Sequence, residues 1–486
     1  MSIKKNFIFN FFLTGSNLLF PLLTFPYLSR ILGATGLGIC NFIMAYGRNY
    51  IIIAALGISI YGTREIAKVG NNKIERSKLF FELLCIHLLF TLIPLIIYIT
   101  SIYLSEDLKD YKNLALLGGS LIFFNVFSIE WLFAGVNDFK YITIRSLFIR
   151  FLSIVAIFLF VKKEDDFTIY FIILTCTIFI TVLVNIYHSM KYISINVILS
   201  FNGLLNHLKP ITLLGVYMVL TSVYSVLPNT LLGFLSTKMA VGYYYGANRI
   251  IRMAIEVFTS LVTVLIPRLN LVVEESKVEY LLLLNKALRV VISFGIPLTF
   301  IIFLLAEPIV MLLAGLNFVN SIVVIKIMSP VILLVAFAQI FVLLILSVHR
   351  KDNYMIILSI IGMVISLFIN IFYIPQFAEK ATAVSQLAAE LLVTIVSFVL
   401  ARKVLEFKFP VKMFLLNVLF VMPFSIITYF SFKFLHNNFL IILISGIICG
   451  FYFLIYQLFI IKDRFIVKIF KPYIPVMFIK ERFYKA

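Results

Sequence analysis

Five basic residues lie inside stretches that are otherwise apolar: Arg48, Arg150, Arg249, Arg252 and Lys326. Arginine suits anion binding in such surroundings, because its planar guanidinium stays protonated and donates paired hydrogen bonds to a phosphate or carboxylate. Arg249 and Arg252 are three residues apart and share a face of any helix, and Glu256, four beyond Arg252, can pair with it. Glu130 and Glu390 stand in equally apolar runs. A carboxylate there either takes up a proton or pairs with a cation, so each is a candidate for a coupling proton or for a structural ion pair. Glu82 and Glu307 are expected near interfaces and solvated. The four cysteines (Cys40, Cys85, Cys176, Cys449) and five histidines are dispersed, without the spacing of a metal site. No metal or other cofactor is expected.

The elements that hold these residues follow from composition. Of 486 residues, 62% are hydrophobic and 13% charged, and the mean hydropathy is +1.10. A soluble domain carries about 25% charged residues, so this chain lacks the polar surface of a water-soluble globule. It reads as an all-α, polytopic membrane protein. Runs of about 20 apolar residues cross a bilayer as helices. Fourteen such spans are predicted, from 7–29 to 439–461, joined by short polar connections. The first reads as a retained helix, because no small-residue cleavage site follows it. Arg48 falls in the second predicted span, 39–60, and Arg252 equally deep in the eighth, 243–266. An arginine facing lipid at that depth costs about 2.5–3.5 kcal/mol, so both must face protein or water.

The net charge of +19 would suggest nucleic acid on a soluble protein. Here the placement of the cations explains it. Of 41 Lys and Arg, 28 fall on the side that holds the predicted N-terminus and every second connection, eight on the other, and five within spans. Lysine and arginine mark the cytoplasmic side, so both termini are expected in the cytoplasm, and no nucleic acid partner is expected. The basic residues would meet anionic headgroups there.

An offset of 204 residues places Lys5 on Lys209, Gly38 on Gly242, Arg48 on Arg252 and Arg64 on Arg268, without a gap. Pro26 and Pro228 fall at similar depths. Two halves of parallel topology are expected: a six-helix bundle over 1–210, a second over 211–403, and two extra helices with a basic tail over 404–486. Pro21, Pro26 and Pro228 are candidate hinges, although proline in membrane helices is often tolerated without such a role. Tyr243, Tyr244 and Tyr245 read as an interfacial aromatic belt.

The stretch from Asn17 through Phe25-Pro26-Tyr27-Leu28-Ser29-Arg30-Ile31-Leu32-Gly33, closing at Gly36 and Gly38, resembles the opening of bacterial polysaccharide flippases of the O-antigen type. So do Tyr61-Gly62-Thr63-Arg64-Glu65, Glu130-Trp131-Leu132-Phe133 and Asp138-Phe139-Lys140-Tyr141, with Asn370, Ile374-Pro375 and Glu390 further along. One departure stands out. After Pro375 the family usually has a glycine-containing turn, whereas this chain reads Gln376-Phe377-Ala378-Glu379-Lys380.

The resemblance implies two six-helix bundles around a central cavity, as in multidrug exporters and peptidoglycan-precursor flippases. It implies transfer of an undecaprenyl-pyrophosphate-linked oligosaccharide to the outer leaflet of the bacterial inner membrane by alternating access, with a polysaccharide polymerase and assembly proteins as partners. Under it, Arg48, Arg249 and Arg252 would be the cavity cations that hold the pyrophosphate. Proton or sodium coupling would fall to Glu130 or Glu390, with Glu256 as an ion-pair acid. A multidrug or cation antiporter of the same fold would want an acidic cavity instead. A membrane glycosyltransferase or polymerase would want a sizeable hydrophilic loop, which the connections here do not offer. An assembly scaffold would tolerate loss of Arg48 and Arg252.

Overall fold

The computed structural model describes residues 3–199 and 201–461 of the chain, and the expected basic tail beyond Ile461 lies outside the described residues. The described chain is 89% helical, without strands. In order, the helices used below are α1 (Ile3–Ala55), α2 (Ile58–Val69), α3 (Lys73–Leu104), α4 (Lys112–Val126), α5 (Glu130–Gly135), α6 (Phe139–Phe160), α7 (Phe167–Ser189), α8 (Phe201–Ser225), α9 (Leu227–Leu235), α10 (Lys238–Glu275) and α11 (Lys277–Val290). They continue as α12 (Ile296–Leu304), α13 (Ala306–Leu313), α14 (Ser321–Gln339), α15 (Asp352–Val404), α16 (Val411–Val421), α17 (Pro423–Phe434) and α18 (Asn438–Ile455).

Local chemistry sets several starts. The Asn72 side chain accepts the Ile74 and Glu75 amides at the head of α3, Asp138 accepts the Tyr141 amide at α6, and Asn437 accepts the Phe439 and Leu440 amides at α18. Each satisfies donors that the first turn of a helix leaves free.

Among the described residues, twelve helical stretches are long and apolar enough to span a membrane, where the sequence predicts fourteen crossings. The difference arises at α1 and α15, each 53 residues. A straight helix of that length would run to about 80 Å, against about 30 Å of hydrocarbon. Each contains one residue outside helical geometry: Gly33 in α1 (φ 63°, ψ −174°) and Ala378 in α15 (φ 46°, ψ −125°). The Gly33 conformation is open only to glycine at little cost. Ala378 takes positive φ within the segment where the resembling family places its glycine turn.

The candidate hinges differ among themselves. Helix α1 passes through Pro21 and Pro26, whereas Pro228 sits at the start of α9, just after a break at Val226.

The chain packs as two units: residues 1–247 with 313–324 and 359–389, and residues 248–312 with 325–358 and 390–486. The boundary expected at 210 falls inside the first unit, and that expected at 403 inside the second.

In the first unit, Tyr61, Phe80, Trp131 and Phe133 share one apolar core with Ile58 and Ile211. A methyl on Gly62 would lie 2.6 Å from the Trp131 ring, so the two motifs around Gly62 and Trp131, far apart in sequence, pack directly on each other. Across the Ala378 break the two arms of α15 are joined by Asn370, whose amide nitrogen donates to Ser385 Oγ at 2.6 Å and to the Ser366 carbonyl at 2.7 Å. Large apolar side chains such as Leu89, Ile93 and Ile96 on α3 are exposed. A bilayer explains them, and water would not.

In the second unit, π-helical turns follow α11 and α14 at Val291–Gly295 and Ile340–Ser347. The Tyr280 hydroxyl donates to the Leu344 carbonyl inside the latter. Gln457 donates to Asn417 Oδ1 at 2.6 Å and ties the segment after α18 to α16.

Candidate functional site

Arg48 lies on the second arm of α1, about 10 Å along the axis from its end at Ala55, and its side chain is exposed. Its neighbours are engaged: Asn49 donates to Thr230 Oγ1 at 2.8 Å, and the Tyr46 hydroxyl lies 2.5 Å from Ser101 Oγ and 3.0 Å from the Tyr50 hydroxyl. Tyr46, Asn49, Tyr50 and Thr230 edge a cavity of about 540 Å³ whose remaining walls, apart from Thr212, are apolar, Ile53, Phe90, Pro94 and Ile97 among them. Among the described residues Arg48 makes no ion pair, and it neighbours Asn49 and the tyrosines of this polar seam in sequence.

In the second unit, Arg249 is half-buried, Arg252 exposed and Glu256 half-buried on α10. Arg252 and Glu256 form no ion pair among the described residues, although their spacing allows one. Glu390 on α15 is half-buried, and Lys326 on α14 is exposed.

Glu130 heads α5 and pairs with Arg145 of α6. The Arg145 side chain is 4% exposed and Glu130 49%. The same guanidinium donates to Asn185 on α7 and to Ser146 Oγ at 2.9 Å. Arg145 is therefore a buried connector of three helices. Arg150 donates to Ser16 Oγ at 2.8 Å.

Glu82 is the clearest correction to the expected solvated acids. It is 4% exposed, with Oε2 3.1 Å from His207 Nε2, while His207 Nδ1 lies 2.8 Å from the Tyr61 hydroxyl. Helices α2, α3 and α8 are thereby joined by a polar relay inside an apolar core. Glu307 is exposed as expected.

At the α5–α6 connection, Asp138 accepts hydrogen bonds from the Tyr192 hydroxyl at 2.6 Å and from His188 at 3.0 Å. Burial alone would raise its carboxyl, but these bonds and the Tyr141 amide outweigh that and hold it below the ordinary carboxylate range. Burial and the adjoining Asp138 push the Tyr192 phenol up. The Tyr141 ring stacks on His188 at 3.6 Å.

The relay at Glu82 and the cluster at Asp138 carry no sequence-local signature. His207 and Glu82 are 125 residues apart, and of these groups only Tyr61, Asp138 and Tyr141 stand within the motifs read from the sequence.

No group of three or more His, Cys, Asp or Glu able to hold a metal ion occurs among the described residues.

Comparison with known proteins agrees with this architecture. The chain is 26% identical over 414 residues to a putative O-antigen transporter of Escherichia coli (strain K12), covering 83% of this chain and 97% of that protein. Its fold resembles that of the lipid II flippase MurJ in an inward closed conformation, with a TM-score of 0.77, 16% identity and 97% and 99% of the two chains covered. An inward-facing multidrug resistance MATE transporter of the MOP superfamily aligns with a TM-score of 0.57 and 15% identity, over 79% of this chain and 97% of that one. These similarities identify a multi-pass transporter of the bacterial inner membrane rather than an enzyme. Residues 3–271 match the family described as polysaccharide biosynthesis protein, and the chain belongs to that family.

Proposed function

We propose that this protein is a flippase. It moves an undecaprenyl-pyrophosphate-linked oligosaccharide repeat unit from the cytoplasmic to the outer leaflet for surface polysaccharide synthesis. The observation that carries this reading is the family match over residues 3–271. In this reading the breaks at Gly33 and Ala378 each separate two crossings, so the membrane is crossed fourteen times and both termini are cytoplasmic. A pyrophosphate cannot enter hydrocarbon bare, so its passage needs a hydrated route with fixed cations. Arg48 and Arg252, exposed on apolar helices, supply two of them, and half-buried Arg249 a third. Transport runs by alternating access, driven by a proton or sodium gradient. A polymerase and assembly proteins consume the product.

The test is reconstitution into liposomes with a fluorescent lipid-linked oligosaccharide, following the label's accessibility to a membrane-impermeant quencher. Movement above that in protein-free vesicles, abolished when the oligosaccharide lipid is replaced by a cationic drug, is the expected outcome. Transport of the drug alone would favour the multidrug reading, which the MATE-like fold supports.

A further inference from the structure

A groove of about 640 Å³ runs between α6 and α7 in the first unit. Its rim is cationic. Lys140 and Lys191 are exposed there, and neither makes an ion pair among the described residues. Asp138 is the acid on this rim, and its carboxylate is already engaged by His188, Tyr192 and the Tyr141 amide. Below the rim, Arg145 lines the groove with 6% of its surface exposed, and its Nε is buried without a hydrogen-bond partner. Deeper still the lining turns apolar: Ile144, Phe148 and Leu152, spaced along one face of α6, are 52%, 61% and 45% exposed.

Cationic rim and apolar trough follow each other along α6, as phosphate and acyl chain do in a phospholipid. We propose that this groove is a binding site for an anionic phospholipid of the surrounding membrane. Its phosphate sits between Lys140 and Lys191, and an acyl chain lies along Ile144, Phe148 and Leu152. Zwitterionic lipids are disfavoured because, among the described residues, the rim carries two ammonium groups without a carboxylate partner, Lys191 resting over the Tyr192 ring at 5.2 Å, and no open carboxylate to receive a headgroup cation. Arg48, Arg249 and Arg252 do not line this groove.

The test uses Phe148→Trp as a reporter in bilayers containing brominated phosphatidylglycerol or brominated phosphatidylcholine. The native chain, whose single Trp is buried Trp131, serves as the blank. Phosphatidylglycerol should occupy the site in preference to phosphatidylcholine by about fivefold or more. Adding Lys140→Ala and Lys191→Ala should bring that ratio near one, whereas Lys109→Ala with Lys112→Ala should leave it unchanged. Equal quenching by the two lipids, or a preference that survives loss of Lys140 and Lys191, would overturn the proposal. So would displacement of the bromolipid by a short-chain prenyl pyrophosphate, which would assign the groove to the transported substrate.

Discussion

Gly38 and Gly242 face each other across a helix crossing in reciprocal register. A methyl added to Gly38 would lie 1.7 Å from the Lys238 carbonyl oxygen, and one added to Gly242 would lie 1.9 Å from the Ala34 carbonyl oxygen. Each carbonyl belongs to the residue four before the opposite glycine, and the 204-residue offset carries Ala34 onto Lys238 as it carries Gly38 onto Gly242. Equivalent positions of the two sequence repeats therefore touch each other, as across a local two-fold axis. No side chain fits there, because the obstacle is backbone.

Replacing either glycine by alanine should destabilise the protein by about 1–3 kcal/mol, the usual cost of overpacking. Thermal unfolding in detergent measures it. Gly446→Ala is the control: a methyl there meets nothing within 4 Å, so helix propensity alone should leave stability unchanged or raised by up to about 1 kcal/mol. Equal melting temperatures for Gly38→Ala and Gly446→Ala would refute the close crossing.

Ala378 holds φ at 46° in the break within α15, a conformation that costs a Cβ-bearing residue about 1–2 kcal/mol. Ala378→Gly should raise thermal stability by about 1 kcal/mol, and Ala378→Val should lower it. A destabilised glycine variant would mean that this turn is not left-handed in the native protein.

Arg48→Ala and Arg252→Ala should each reduce surface polysaccharide while the amount of protein in the membrane stays constant. Loss of one charged hydrogen bond, about 1.5–3 kcal/mol, corresponds to about tenfold or more in transport rate. Immunoblotting of membranes beside polysaccharide extraction separates the two effects. Normal export in both variants would remove the cationic cavity from the mechanism.

The Glu130–Arg145 pair is asymmetric in burial, which sets an order of effects. Glu130→Gln leaves a buried guanidinium with only neutral acceptors, Asn185 and Ser146, and should cost about 3 kcal/mol. Arg145→Met leaves a carboxylate that reaches water and should cost less. Differential unfolding of the two variants gives the order, and the reverse result would show that Glu130 is buried in the native state.

Asp138 is held below its ordinary range by its hydrogen bonds. A depressed carboxyl stabilises the fold above its unfolded pKa, near 3.9, and this contribution is lost as pH falls through the lower folded value. Asp138→Asn should therefore be less stable than the native protein by about 1–2 kcal/mol at neutral pH. The gap should narrow below about pH 4. A gap independent of pH between 3 and 7 would assign the loss to geometry instead of charge.

The membrane class and the approximate spans were legible in the sequence. They depend on the local density of apolar and basic residues, which partition between lipid and water whatever their neighbours. The family was legible too, in short motifs such as Tyr61-Gly62-Thr63 and Glu130-Trp131, and so was the repeat, because Gly38 and Arg48 are rare residue types in a chain dominated by Ile, Leu and Phe. The tertiary structure alone decided what those residues touch. Glu82 looked solvated from its place near a helix start, yet packing of α8 over α3 buries it against His207. Arg145 carries no local signal of a partner, yet it connects α5, α6 and α7. Arg252 and Glu256 have the spacing of an ion pair and form none among the described residues, because spacing permits a contact and does not compel it. Periodicity shows which residues share a helix face. Which faces meet depends on where small residues let backbones approach, and at Gly38 and Gly242 that approach is close enough to exclude a single methyl group.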